Sequence, residues 1–178
     1  MRCPQDHRAI RGLLICRAPF FYHGSGGDLV RRFKFEADRG ALGWMVREMV
    51  AAIVPWTRSA GRRGIFVSVP IHPTRRRARG FDQAAVLAES VAQRVGRGFV
   101  PNALRRVRAT LPQGDVRVTS RLENVRDAFA VSRARRLDDA VVVLVDDVRT
   151  SGHTAMECAR VLRLAGVRKV ALLTAAQS

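Results

Sequence analysis

Val142–Thr154 reads Val-Val-Leu-Val-Asp-Asp-Val-Arg-Thr-Ser-Gly-His-Thr, and this stretch decides the fold. Its first four residues are apolar and lead directly into two adjacent carboxylates, Asp146 and Asp147. An apolar run of this kind predicts a parallel strand that is buried on both faces. A loop of small and polar residues follows, and it ends where Thr154 can cap a new helix.

The loop after this strand suits a phosphate group. Its small residues leave backbone N–H groups free, and the N-terminus of a helix attracts anions. Asp146 and Asp147 cannot hold a phosphate, but carboxylates suit ribose hydroxyls and a hydrated Mg²⁺. The two features together fit a ribose 5-phosphate. The alternative is a buried strand that ends in a solvated Asp-Asp turn.

The same stretch resembles the 5-phosphoribosyl 1-diphosphate (PRPP) motif of the type I phosphoribosyltransferases. The resemblance implies that the acidic pair meets the ribose 2′- and 3′-hydroxyls, acts in catalysis and biases a bound Mg²⁺. It also implies that the following loop binds the 5-phosphate. The PRPP-binding residues predicted in this way are Asp146, Asp147, Arg149, Thr150, Ser151, Gly152, His153 and Thr154. Ser151 and His153 depart from the usual motif, and His153 either adds a phosphate contact or points outward.

The composition predicts one folded domain. The chain has 178 residues, of which 47% are hydrophobic, so it can bury a core of its own. We expect no membrane insertion, because no apolar run is long enough to cross a bilayer. Charged residues interrupt every apolar stretch near the N-terminus, so we expect no signal peptide and a cytoplasmic location.

The charge is strongly basic. The formal net charge is +17, and Lys34 and Lys169 are the only lysines, so arginine supplies nearly all of it. The guanidinium fork suits phosphates better than an ammonium does, which favours an anionic partner. That partner is either a diphosphate substrate or nucleic acid, and charge alone does not choose between them. The alternative is an arginine-rich surface that is simply solvated.

A second loop follows the short β-branched strand predicted over Ile65–Val69. Four arginines crowd into Pro70–Gln83, and two prolines and a glycine there predict the absence of a regular element. The leaving group of PRPP carries several negative charges, so we interpret this loop as the diphosphate-binding loop rather than as a solvated one. Its predicted site residues are Pro70, Ile71, His72, Arg75, Arg77 and Arg79.

The remaining elements follow from hydrophobic periodicity and turn residues. We predict a turn with a helix cap at Asp28, helices over 40–53, 83–95 and 154–165, a polar break over 55–64, and strands over 99–108, 128–131, 141–145 and 170–174. This order predicts an α/β fold with a mainly parallel sheet. Both candidate loops follow the carboxyl ends of strands, where open sheets of this class bind ligands.

Residues 109–127 form a long stretch with few apolar groups, which is typical of disorder or of a functional lid. We favour a lid, because PRPP hydrolyses when water reaches its anomeric carbon and a closing loop would exclude that water. Arg117, Arg121 and Asn124 are the lid residues that we expect to close over the ligand.

Further motifs resemble the ComF family of competence proteins. These motifs are Phe33–Phe35, Val69–Pro73 with Arg77–Gln83, Thr110-x-x-Gln113, and Arg121–Phe129. Members of this family are phosphoribosyltransferase-like, and some are tied to the uptake of DNA. The resemblance implies a three-layer type I phosphoribosyltransferase core over 61–178 and a small N-terminal hood over 1–60.

The N-terminal region departs from the family, which usually carries a four-cysteine zinc module there. Only Cys3 and Cys16 are present, so we expect the module to be shortened or lost. Cys3, His7 and Cys16 offer three metal ligands, whereas structural zinc normally takes four. The acceptor pocket cannot be read from the chain, because this fold recognises its acceptor with a variable hood.

Two functions follow from these observations. The first is an enzyme that binds Mg²⁺ and PRPP, expels diphosphate and transfers ribosyl 5-phosphate to a nitrogen nucleophile. The second is a non-catalytic module that binds PRPP or a nucleotide and also engages DNA or a competence partner. The charge supports the second function, while scattered phenylalanines and a single tyrosine argue against base stacking. An oligomer is compatible with either function.

Overall fold

A six-stranded sheet forms the centre of the protein in a computed structural model that describes residues 13–59, 64–108, 121–132 and 137–178. Every strand pair in this sheet is parallel. Its strands are Cys16–Arg17 (β1), Phe20–Phe21 (β2), Gly64–Ser68 (β3), Gly98–Phe99 (β4), Val141–Arg149 (β7) and Lys169–Gln177 (β8). The order is β1-β8-β7-β3-β4, with β2 also paired to β8. A separate antiparallel pair joins Leu104–Arg106 (β5) to Phe129–Val131 (β6).

Helices cover both faces of the sheet and make three layers. They are Ser25–Glu36 (α1), Arg39–Ser59 (α2), Pro73–Arg79 (α3), Gln83–Arg94 (α4), Arg121–Val125 (α5) and His153–Leu164 (α6). Buried residues of α1, α2 and α4 pack on one face, and those of α6 and the β5–β6 pair pack on the other. The α/β class and the mainly parallel sheet that the sequence predicts are confirmed.

Strand β7 contributes alternate side chains to both cores. Val142 and Leu144 lie in the core beside α6, whereas Val143 and Val145 lie in the core beside α4. All four are buried. The apolar run therefore forms a strand covered on both faces, as predicted.

The central strand is longer than predicted. The prediction ended it at Val145, but β7 continues to Arg149 and places both carboxylates inside the strand. The reason is the ladder with β8, which continues through Asp146 opposite Thr174 and Arg149 opposite Gln177. Thr154 is not the helix cap either, because Gly152 takes that position with a φ of 80° and α6 begins at His153.

The predicted loop over 70–83 contains a short helix, so that prediction was wrong. Pro73 occupies the first turn of α3, where a missing N–H costs nothing. The ring nitrogen Nδ1 of His72 accepts a hydrogen bond from the backbone N–H of Thr74 at 3.3 Å. Gly80 ends the helix with a φ of 76°, and its N–H donates to the carbonyl of Arg76. Asp82 caps the next helix as predicted.

Three further boundaries differ from the predictions. Helix α1 begins at Ser25, so Asp28 lies inside it and is not its cap. Helix α2 continues past Pro55 to Ser59, because Thr57 is still buried beyond the proline and packing overrides the local break. The single strand predicted over 99–108 is two strands in different sheets, separated by Asn102 with a φ of 54°.

The division into a hood over 1–60 and a core over 61–178 stays a prediction. β1 and β2, which precede residue 61, pair with β8 of the central sheet. Among the described residues, no helix is both long enough and apolar enough to cross a membrane.

Candidate functional site

A cavity of about 290 Å³ opens where β3 and β7 end. Stretches that are far apart in sequence meet there, as expected for the carboxyl edge of a parallel sheet. The predicted site residues that line the cavity are Pro70, Ile71, His72, Asn124, Asp146, Asp147, Arg149, Thr150, Gly152 and Thr154. The cavity therefore joins parts of all three predicted loops.

Asp146 and Asp147 lie side by side in the lining of this cavity. The backbone N–H of Asp147 donates a hydrogen bond to Oδ1 of Asp146 at 2.8 Å. Burial, reinforced by the negative charge of Asp147, raises the pKa of Asp146 to about 8. Positive charge placed beside Asp146 and Asp147 is therefore favourable.

Lys34 is a site residue that the sequence reasoning did not assign. Its Nζ lies 3.0 Å from Oδ2 of Asp147, and the two side chains are only 12% and 16% exposed. The ammonium also lies 6.0 Å from the centre of the Tyr22 ring. Both Lys34 and Tyr22 line the cavity. The Phe33–Phe35 motif was the available signal, but nothing in the sequence connected it to Asp147.

The predicted phosphate loop divides into residues that line the cavity and residues that do not. Thr150, Gly152 and Thr154 line it, whereas Ser151 and His153 do not. Ser151 Oγ and His153 Nδ1 are buried without a hydrogen-bond partner among the described residues. The loop therefore holds more polar groups than its own contacts satisfy.

Arg149 also lines the cavity. Its guanidinium donates to the side-chain carbonyl of Gln177, the residue opposite it in β8. The guanidinium is thus tied to the sheet next to the loop.

The predicted diphosphate loop contributes its first half to the cavity. Pro70, Ile71 and His72 line it, but Arg77 is exposed on α3 and does not. The side chains of Arg75 and Arg79 lie outside the described part of the structure. Of the described side chains in this loop, those of the turn after β3 therefore reach the site, whereas Arg77 does not.

Asp82 stands close to the acidic pair. Burial raises the pKa of this carboxyl, and the charge of Asp147 adds to the shift. The N-capping hydrogen bond that Asp82 accepts from Ala85 N–H at 2.9 Å opposes it. Three carboxyls therefore share one region of the protein.

The predicted lid is described only at its C-terminal end. Asn124 lies in α5 and lines the cavity, Arg121 begins that helix, and Arg117 lies outside the described residues. Arg106 of β5 also lines the cavity and was not predicted. Its guanidinium lies 5.0 Å from the centre of the Phe129 ring, which packs against it on β6.

The donor set fits Mg²⁺ only in part. Carboxylate oxygens of Asp146 and Asp147 suit this ion, which proteins commonly bind through one or two carboxylates together with substrate phosphates and waters. Among the described residues, no group of three or more His, Cys, Asp or Glu is arranged to hold a metal. A Mg²⁺ at this site would therefore need oxygens from a substrate.

Of the N-terminal candidate ligands, only Cys16 lies among the described residues. Cys16 is buried in β1 as part of the core. Cys3 and His7 lie outside the described residues, so a metal there stays a prediction.

The chain is similar in sequence to two curated proteins. It is 28% identical over 149 residues to "Competence protein F" of Haemophilus influenzae, covering 80% of this chain and 63% of that protein. It is 30% identical over 144 residues to "DNA utilization protein YhgH" of Salmonella typhimurium, again covering 80% and 63%. The chain thus spans less than two thirds of the length of these relatives. No family model matches the chain.

The fold is also similar to a solved structure. A crystal structure of adenine phosphoribosyltransferase superposes with a TM-score of 0.52 at 14% identity, covering 81% of this chain and 74% of that one. At this identity the likeness concerns the fold alone. The resemblance to ComF proteins and the type I phosphoribosyltransferase fold, both expected from the motifs, are confirmed.

Proposed function

Because the chain resembles the ComF family and has the type I phosphoribosyltransferase fold, we propose that it binds PRPP with Mg²⁺. We propose further that it transfers ribosyl 5-phosphate to a nitrogen nucleophile. One observation carries this proposal: a single cavity joins the acidic pair, the loop before α6 and the turn after β3. These three features suit the ribose diol, the 5-phosphate and the diphosphate of PRPP.

Different residues would contact different parts of PRPP. Asp146 and Asp147 accept hydrogen bonds from the ribose hydroxyls. Backbone N–H groups around Thr150–Thr154 hold the 5-phosphate, and the unsatisfied Ser151 and His153 polar atoms lie in the same loop. The turn at Pro70–His72 receives the diphosphate. Asp146 and Asp147 would hold Mg²⁺, which would supply positive charge to stabilise the departing diphosphate.

Transfer requires little chemistry from the side chains. The bond between C1 of the ribose and the diphosphate oxygen breaks, and its electron pair leaves with diphosphate. The lone pair of the nucleophile forms the new C1–N bond, and the nitrogen then loses a proton to solvent. The protein contributes alignment of the reactants and stabilisation of the departing charge.

Calorimetry with PRPP and Mg²⁺ tests the binding step. We expect Asp146→Asn and Asp147→Asn each to weaken PRPP binding roughly tenfold, because each removes a carboxyl oxygen that accepts a hydrogen bond from a ribose hydroxyl. Asp28→Asn is the matched control, because Asp28 pairs with Arg31 on the exposed side of α1. Unchanged binding in both site variants would contradict the assignment. Diphosphate release with a panel of bases and amines then identifies the acceptor.

A second candidate is a non-catalytic module that binds PRPP or a nucleotide and also engages DNA. The net charge of +17 favours it, as does the name of the relative called "DNA utilization protein YhgH". We expect DNA affinity measured by fluorescence anisotropy to fall steeply with salt, because phosphate contacts release counterions. DNA binding without diphosphate release would support the module, whereas turnover with an amine or base would support the enzyme.

A further inference from the structure

Lys34 forms an ion pair with Asp147 of the acidic pair, although it lies more than one hundred residues away in sequence. It projects from α1 and reaches Asp147 with an Nζ–Oδ2 distance of 3.0 Å. Both partners are largely removed from solvent. An ion pair in this setting is costly to form unless its geometry is good, and breaking it leaves a buried charge without a partner.

The position of Lys34 is set by contacts on both sides of it along the chain. Phe33 is buried and packs edge-to-face against Phe81, with ring centres 5.4 Å apart. At the start of the helix, a Cβ on Gly26 would lie 2.2 Å from the carbonyl oxygen of Phe21. A Cβ on Gly27 would lie 2.2 Å from that of Tyr22. The first turn of α1 therefore packs closely on Phe21 of β2 and on Tyr22 directly after it. Together with the Phe33–Phe81 contact, this packing holds the helix that carries the ammonium.

The backbone of Asp147 does not need this ion pair. It lies inside β7, where ladder pairs with β8 on both sides of it hold the strand in register. What the ammonium adds is control of the Asp147 side chain and positive charge beside Asp146 and Asp82. Without the ammonium, this largely buried carboxylate would lose its ion-pair partner and would be free to take other rotamers.

We propose that Lys34 is a positioning residue of the ribose site, which holds the Asp147 carboxylate towards the ligand hydroxyls. This inference rests on the proposed function. It makes α1, rather than the central sheet alone, part of the ribose-binding site. The alternative is that Lys34 contacts the diphosphate directly. Because ribose 5-phosphate lacks the diphosphate, comparing it with PRPP distinguishes the two roles.

The test compares PRPP with ribose 5-phosphate, which lacks the diphosphate, by calorimetry in the presence of Mg²⁺. The variants are Lys34→Met, Lys34→Arg, Asp147→Asn and the Lys34→Met/Asp147→Asn pair. Arg31→Met is the matched control, because Arg31 lies on the same helix but pairs with Asp28 on the surface. Circular dichroism and thermal unfolding establish that each variant is folded before titration.

The inference predicts that Lys34→Met weakens both ligands by the same factor, roughly 10- to 100-fold, as is usual for residues that orient a ligand-binding group. Lys34→Arg keeps the charge and binds both ligands more tightly than Lys34→Met. In the double variant, Lys34→Met adds little to the loss already caused by Asp147→Asn, since the two residues act as a unit.

Five results would overturn the inference. If wild-type protein binds neither ligand, the proposed function fails and the inference falls with it. If wild-type protein binds but Lys34→Met matches it within about twofold, only the inference fails. A loss confined to PRPP would place Lys34 on the diphosphate, and additive losses in the double variant would separate it from Asp147. Failure of Lys34→Arg to bind better than Lys34→Met would show that the charge is not what matters.

Discussion

The raised pKa of Asp146 makes stability of the ligand-free protein depend on pH in a predictable direction. Burial and Asp147 favour the protonated carboxyl in the folded state, which shifts the pKa from 3.8 to about 8. The folded protein then holds one more proton than the unfolded chain between these values. The stability that this group contributes is fully present below pH 3.8 and is lost as pH rises through about 8.

The magnitude follows from the shift. Each pKa unit corresponds to about 1.4 kcal/mol, so unfolding free energy should fall by about 2 kcal/mol between pH 6 and pH 8 through this one group. Asp146→Asn removes the titration and keeps a neutral side chain of similar shape. Between pH 6 and pH 8, we therefore expect the unfolding free energy of the variant to rise by about 2 kcal/mol relative to that of wild type.

Urea unfolding at pH 6 and pH 8 in metal-free buffer measures this difference directly. Thr174→Val is the matched control, because Thr174 lies opposite Asp146 in β8 and carries no titratable group. The raised pKa of Asp82 is present in wild type and in both variants, so its effect on the unfolding free energy cancels in the comparison. A stability difference between Asp146→Asn and wild type that is the same at both pH values would refute the reasoning.

Two further substitutions, Gly27→Ala and Glu157→Gln, test the packing at the start of α1 and the hydrogen bonds between Glu157 and Arg160. Gly27→Ala brings a Cβ to 2.2 Å from the Tyr22 carbonyl oxygen, so we expect about 1–3 kcal/mol of destabilisation in urea unfolding. Gly43→Ala, whose Cβ meets nothing within 4 Å among the described residues, should instead be neutral or stabilising by up to about 1 kcal/mol. Glu157 is only 6% exposed and accepts hydrogen bonds from Arg160, which are the main cause of its lowered pKa. We therefore expect Glu157→Gln to lower the unfolding free energy by about 1–3 kcal/mol at pH 7. That cost should shrink as pH falls below 4.5, where Glu157 of the unfolded chain takes up a proton, and should be lost as pH falls through the lowered pKa of the folded carboxyl. A cost that stays constant with pH would contradict this explanation.

Much of the sheet could be predicted from local pattern, because the strands are apolar enough to be recognised alone. Val142–Val145 is the clearest case, since a run of four apolar residues without alternation has few uses other than a strand covered on both faces. The same reasoning ended β7 too early. Asp146 and Asp147 look like loop residues, and only the ladder with β8 keeps them extended.

The site residues that were missed depend on contacts between distant parts of the chain. Lys34 reaches Asp147 because β2, which leads into α1, pairs with β8 beside β7, and no short-range pattern encodes that pairing. Arg106 enters the cavity because β5 pairs with β6, a pairing that the single strand predicted over 99–108 concealed. The helix over Pro73–Arg79 was missed for a different reason, since proline was read as a breaker where it occupies the first turn.

The most direct test of the account is a crystal structure of the protein with PRPP and Mg²⁺. The account predicts the 5-phosphate against the backbone of Thr150–Thr154 and the ribose hydroxyls within hydrogen-bond distance of Asp146 and Asp147. It would be contradicted by PRPP bound elsewhere, or by a cavity that stays empty at saturating PRPP while both carboxylates point away from it.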